Sequence, residues 1–136
     1  MRYELIMILN MTWGIIQTLI GFAFLILTIL FNKKLYFYEG CVVSRITIPI
    51  GVSLGLFVFV HVDSPLYTVK HEYGHCIQSA VIGPFYLITV GIISPIRSLW
   101  TLVMWKILKI RRLLIARWYY NGWPENQADK LGDVNR

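Results

Sequence analysis

Apolar positions along this chain fall in long runs rather than in a steady period, and a few polar residues punctuate them. Residues 5–32 carry no charge. About twenty apolar residues cross the hydrocarbon core of a bilayer, so this stretch predicts a transmembrane helix, with Asn10 and Thr12 near its outer end. Lys33-Lys34 follows at once, and the positive-inside rule puts that end in the cytoplasm. Residues 36–62 remain apolar but are richer in valine, isoleucine and phenylalanine, and Gly40, Pro49, Gly51 and Gly55 break them. The run from Ser53 to Val60 reads as strand, after a turn at Pro49 and Gly51. A second transmembrane helix over 46–62 competes but is barely long enough, so a β-hairpin-like element is the favoured expectation.

Ser64-Pro65 then predicts a helix start, with serine as N-cap and proline at the first helical position. The helix covers 66–82, and Gly83-Pro84 ends it. Residues 85–114 form an apolar stretch interrupted by Gly91, Ser94-Pro95 and Arg97, passing into a basic amphipathic run with Lys106, Lys109, Arg111 and Arg112. This predicts either one long kinked membrane helix or a re-entrant pair broken at Pro95, with the cationic run on the membrane surface. The tail, 117–136, mixes interfacial aromatics with a short helix that Pro124 can open.

Composition strengthens the membrane expectation. The 136 residues are 57% apolar and 15% charged, with a mean hydropathy of +0.60, too apolar for an ordinary soluble domain. The fold expected is a mostly α integral membrane protein in one domain, residues 1–136. The net charge of +6 comes from basic residues flanking apolar segments, which points to a lipid bilayer as partner and not to nucleic acid. Cys41 and Cys76 form no C-x-x-C pair, and Cys76 reads as a small buried packing residue rather than a ligand.

Charged groups are scarce, so a cluster of them inside apolar sequence needs a reason. His71-Glu72-Tyr73-Gly74-His75 is H-E-x-x-H. On a helix, residues i and i+4 share a face, so both imidazoles can reach one metal. Glu72 stands one step round, where a carboxylate meets an activated water as general base. A catalytic zinc usually takes three protein ligands, and the third must come from elsewhere. Glu125 and Asp129 are four apart and share a face of the tail helix.

H-E-x-x-H followed by E-x-x-A-D, here Glu125, Ala128 and Asp129, resembles the gluzincin pattern. It is most similar to the membrane proteases related to the CAAX prenyl protease and the bacterial heat-shock membrane protease, in a much shorter form. The resemblance implies zinc (Zn2+) held by His71, His75 and Glu125, Glu72 as general base, and Asp129 orienting a ligand histidine. An edge strand before the motif helix also fits that family. His61, Gln78 and Tyr120 are further candidates for substrate or transition-state contacts, with Tyr86 and Tyr119 as other possible donors.

The expected function is zinc-dependent, membrane-associated endopeptidase activity on a peptide or membrane-protein substrate. The alternative is a non-catalytic metal-binding membrane protein with an immunity, chaperone or scaffold role. A shared zinc requires the chain after His75 to return to the side it left before Glu125. The segment between must be re-entrant or interfacial, and the site is expected at the cytoplasmic membrane face.

Overall fold

The structure, a computed structural model, describes residues 2–136. Six α-helices and four strands follow in the order α1 (Tyr3–Met11), α2 (Ile15–Leu27), β1 (Asn32–Tyr38), β2 (Cys41–Ile46), β3 (Gly51–Leu54), β4 (Phe57–His61), α3 (Leu66–Ile82), α4 (Val90–Lys106), α5 (Arg112–Asn121) and α6 (Glu125–Leu131). The chain is mostly helical with one small mixed sheet.

The sheet order is β1-β2-β4-β3. Each outer pair is an antiparallel hairpin, and β2 and β4 join them in parallel. Glu39 and Gly40 both take positive φ (47° and 80°), the pairing a tight two-residue hairpin turn requires. The apolar run from Ser53 to Val60 is therefore two strands, not one. The Gly55-Leu56 turn divides it, with Gly55 at φ 61°. β2 and β4 are central, and β1 and β3 are the two edges.

Period-two alternation splits β4 between two cores. Val58 and Val60, with Cys41 and Val43, pack on Val69 and Cys76 of α3. Phe59, with Ile46, packs on Leu25 of α2, and the Phe24 ring meets Phe59 edge-on at 4.7 Å. Burial on both faces explains why β4 has no polar alternation to read.

The N-terminal apolar run is not one helix. α1 and α2 meet at 89°, and no single helix is long and apolar enough to cross a membrane, although this bent pair passes by length and composition together. The bend falls at Thr12–Gly14, and the polar residues around it are bonded to α3. The Asn10 amide, fully buried, donates to the Cys76 carbonyl at 3.1 Å and accepts from the Ser79 hydroxyl at 2.6 Å. Gln17 donates to Ser79 Oγ and to the Gly83 carbonyl, both at 2.9 Å. Asn10 is thus a buried tie between helices. Buried amides need partners, and these are found only if the run folds back over α3.

α3 starts at Leu66, but Ser64 is not its N-cap. Pro65 is its N-cap, and no side chain caps it. From His71 to Ala80 every residue but Tyr73 is buried, because the sheet, α1 and α6 all pack on this helix. α4 keeps Pro95 inside it and ends at Lys106, and the chain resumes as α5 after a break. The Arg97 guanidinium stacks on Trp118 at 4.2 Å and donates to the Trp118 and Tyr119 carbonyls, fixing α5 against α4.

Candidate metal centre

α3 sets His71 and His75 one turn apart, with ring centroids 4.9 Å apart and planes at 88°. α6 crosses α3 beside them, and Gly74 permits the approach. A Cβ at Gly74 would stand 2.6 Å from the Ala128 carbonyl carbon and 2.8 Å from its Cα. Glu125, three residues before Ala128, is thereby delivered to the histidines. Its Oε2 lies 3.0 Å from His71 Nε2 and 3.3 Å from His75 Nε2. Ligand atoms of the three residues all fall within 4.8 Å of one another, and all three residues are buried.

The partners of the other ring nitrogens fix the tautomers. His71 Nδ1 is 2.7 Å from Asp129 Oδ1, and a carboxylate only accepts, so Nδ1 carries the proton. His75 Nδ1 is 2.7 Å from Gln78 Oε1. The Gln78 amide nitrogen donates to the Pro124 carbonyl at 3.0 Å and to Gln127 Oε1 at 2.9 Å. Those two acceptors orient the amide, so Oε1 must face His75 and accept from Nδ1–H. In the neutral rings both Nε2 lone pairs therefore point at a carboxylate oxygen. Three electron-rich atoms converging on one buried point are stable only with protons or a cation among them. Imidazole nitrogen plus carboxylate is a donor set for a divalent transition metal, so His71, His75 and Glu125 can hold a metal ion.

The electrostatics of these groups follow from the same convergence. Burial opposes charge on His71, yet the Glu125 hydrogen bond, the Glu72 charge and Asp129 leave its pKa raised. Burial also opposes charge on Glu125, but hydrogen bonds from the two imidazoles outweigh it and hold the carboxyl well below the usual range. Glu72 is different. Burial raises its pKa, only partly offset by His75 and His71, and its Oε2 is buried with no hydrogen-bond partner in the protein. Its backbone carbonyl accepts from the Ser53 hydroxyl at 2.6 Å, which ties the motif helix to the edge strand.

Two cavities, of about 470 and 500 Å3, open on the centre and share Gly51, His71, Glu72, Ser98 and Tyr119. Asp129 also accepts from Arg136 Nε at 2.8 Å, and the Arg136 guanidinium lies 3.5 Å over the Tyr120 ring. Tyr120 meets the His71 ring edge-on at 5.7 Å and lines one cavity, whereas Tyr119 lines both. Tyr86 is buried, and its hydroxyl donates to the Ser53 carbonyl at 3.2 Å.

Of the residues singled out in the sequence, His71, Glu72, His75, Glu125, Asp129, Gln78 and Tyr120 come together. His61 does not. It shares its strand face with Phe57 and Phe59, toward α2, while α3 packs on the other face; the Asp63 amide donates to its ring at 3.3 Å. Gln78 does not line either cavity; it holds His75. Its spacing, i+3 from His75, placed it near the face but could not show that its amide is fixed from α6. Arg136 had no local signal at all. The chain matches no family model, no curated protein and no solved structure.

Proposed function

We propose that this chain is a zinc-dependent, membrane-associated endopeptidase of gluzincin type. The observation that carries the proposal is Glu72: a buried carboxylate with a free Oε2, lining both cavities beside three converging ligand atoms. The chemistry of the donor set fits zinc. When bound, zinc supplies Lewis acidity, which polarises a scissile carbonyl and makes water acidic enough to deprotonate near neutral pH.

The protein groups do the rest. Glu72 Oε2 takes the proton of the attacking water, and its raised pKa suits a base that must then hold that proton and give it to the leaving amine. Asp129 and Gln78 accept from the two Nδ1 atoms and so aim both Nε2 atoms at Glu125. Tyr119, lining both cavities, is the candidate donor to the developing oxyanion. The edge strand β3 offers an extended peptide a ladder to join. Tyr86 already occupies the Ser53 carbonyl, which leaves Gly51, next to Glu72, as the nearer pairing position.

Membrane association is supported by the surface. Leu27 and Leu30 are 76% and 88% exposed, and Ile88, Ile92, Ile96 and Leu99 of the α4 region are exposed too. Apolar exposure on this scale exceeds the isolated surface residues of soluble domains. Lys33-Lys34 and the basic run from Lys106 to Arg117 support a site at the cytoplasmic membrane face.

Elemental analysis of protein purified without added metal, paired with a peptide-cleavage assay, tests the proposal. About one zinc per chain is expected, lost in His71→Ala or His75→Ala. Glu72→Gln keeps the metal and cleaves at least ~10²-fold more slowly. Folded protein without zinc, iron, cobalt or manganese, or a Glu72→Gln variant that cleaves as fast as the parent, overturns it.

A further inference from the structure

Between Glu72 and Glu125 the chain has no acidic residue, yet Lys106, Lys109, Arg111, Arg112 and Arg117 stand close together there. All five are exposed, and among the described residues none pairs with a carboxylate. They surround the connection between α4 and α5, where Ile107 and Leu108 are 70% and 54% exposed. The connection is a fixed turn. The Leu108 amide donates to the Val103 carbonyl at 3.1 Å, and the Ile110 amide donates to the Met104 carbonyl at 2.9 Å. Lys109 takes φ 55°, the left-handed position that closes a helix C-terminus and that glycine fills most readily. Arg111 and Arg112 open α5, where the helix dipole opposes a cation. Helix stability therefore does not explain the two arginines.

Unpaired cations around exposed aliphatic side chains fit one kind of partner. Anionic headgroups neutralise the cations, while the aliphatic side chains enter the acyl boundary beneath them. A nucleic acid would answer the charge but not Ile107 and Leu108, which offer no aromatic face to a base. Trp105 stands among them, with Lys106 Nζ 5.9 Å and the Arg112 guanidinium 4.4 Å from its ring centroid. Tryptophan favours the headgroup level of a bilayer. We propose that the α4–α5 connection docks on the anionic headgroups of a bilayer, with Ile107 and Leu108 as its apolar insertion. This rests on the membrane-association reading above and adds the lipid chemistry and the segment that reads it. Trp105 and Arg112 also line the smaller cavity with Glu72, so the docked segment sets that cavity against the headgroup layer.

The test uses the full chain in lipid nanodiscs and reads no cleavage, so it is independent of the hydrolase chemistry. Leu108→Cys carries an environment-sensitive fluorophore; Cys41 and Cys76 are buried and stay unlabelled in the folded protein. Emission and quenching by acrylamide are followed as phosphatidylglycerol replaces phosphatidylcholine. A blue shift and weaker quenching are expected, both growing with the phosphatidylglycerol fraction. Each Lys or Arg near an anionic surface contributes roughly a fivefold factor. Lys106→Gln, Lys109→Gln and Arg111→Gln together are therefore expected to raise the half-saturating fraction at least ~10-fold, with circular dichroism at the parent value. High salt, which screens exposed charge, gives the same loss with no substitution. A label equally shielded in both lipids, or a shift that survives both the triple variant and salt, overturns the anionic partner and leaves membrane association standing. A label that stays in water in both lipids overturns the docking. Shielding by a single-stranded oligonucleotide at a lower phosphate concentration than the lipid assigns the patch to nucleic acid and overturns it too. Protein that enters nanodiscs of neither lipid overturns the membrane reading itself.

Discussion

Gly74→Ala is the sharpest perturbation of the centre, because it adds one methyl group and touches no ligand. The new Cβ would stand 2.6 Å from the Ala128 carbonyl carbon, closer still to its oxygen, and 2.8 Å from its Cα. All of these are backbone atoms of α6 and cannot rotate away. Restoring an ordinary contact of about 3.4 Å or more moves α6 from α3 by roughly 1 Å. Glu125 rides on the same short helix, one turn before Ala128, and moves with it. Metal–ligand distances hold to within about 0.2 Å, so such a shift takes Glu125 out of bonding range of an ion held by the histidines. Overpacking itself costs about 1–3 kcal/mol, which lowers the melting temperature by several degrees. The expected outcome is a folded protein whose zinc affinity falls at least ~10²-fold, as for loss of one ligand. Competition with a chromophoric chelator reads the affinity, and circular dichroism with a thermal melt reads the fold. Gly91→Ala is the control, since its nearest neighbour would be an ordinary 3.5 Å away. Zinc affinity in Gly74→Ala equal to the parent would refute the claim that α3–α6 contact positions the third ligand.

Three further outcomes are expected. Glu125→Ala abolishes most zinc retention, Asp129→Ala weakens it roughly 10- to 100-fold by releasing His71, and His61→Ala leaves it intact; zinc titration of the three decides the third ligand. Gln78→Leu removes the acceptor at His75 Nδ1 and lowers zinc affinity by a similar 10- to 100-fold, whereas a residue serving only helix packing would leave the titration unmoved. Gly51→Ala places a methyl 2.7 Å from Glu72 Oε1, so it displaces the base and lowers kcat about tenfold or more while zinc content stays at the parent value; an unchanged kcat would show that Glu72 tolerates the shift.

Local sequence determined what depends on helical spacing and on chain breakers. His71 and His75 share a face because helices repeat every 3.6 residues, and α3 spans Leu66–Ile82 because Pro65 opens it and Gly83-Pro84 closes it. Glu125 and Asp129 face one way for the same reason, and both reach the histidines. Tertiary contact decided the rest. A charge-free run from Leu5 to Asn32 satisfies the length rule for a membrane span, yet it folds as two helices at 89°. Asn10 and Gln17 find their partners on Cys76, Ser79 and Gly83, more than sixty residues away. The run before the motif helix reads as one apolar strand because β4 is covered on both faces, and only the sheet order shows that β3 alone has a free edge beside Glu72. Burial, tautomer and charge at the centre belong to this second kind: Gln78 and Arg136 act through atoms supplied by α6, and no spacing along the chain encodes which helix a side chain will meet.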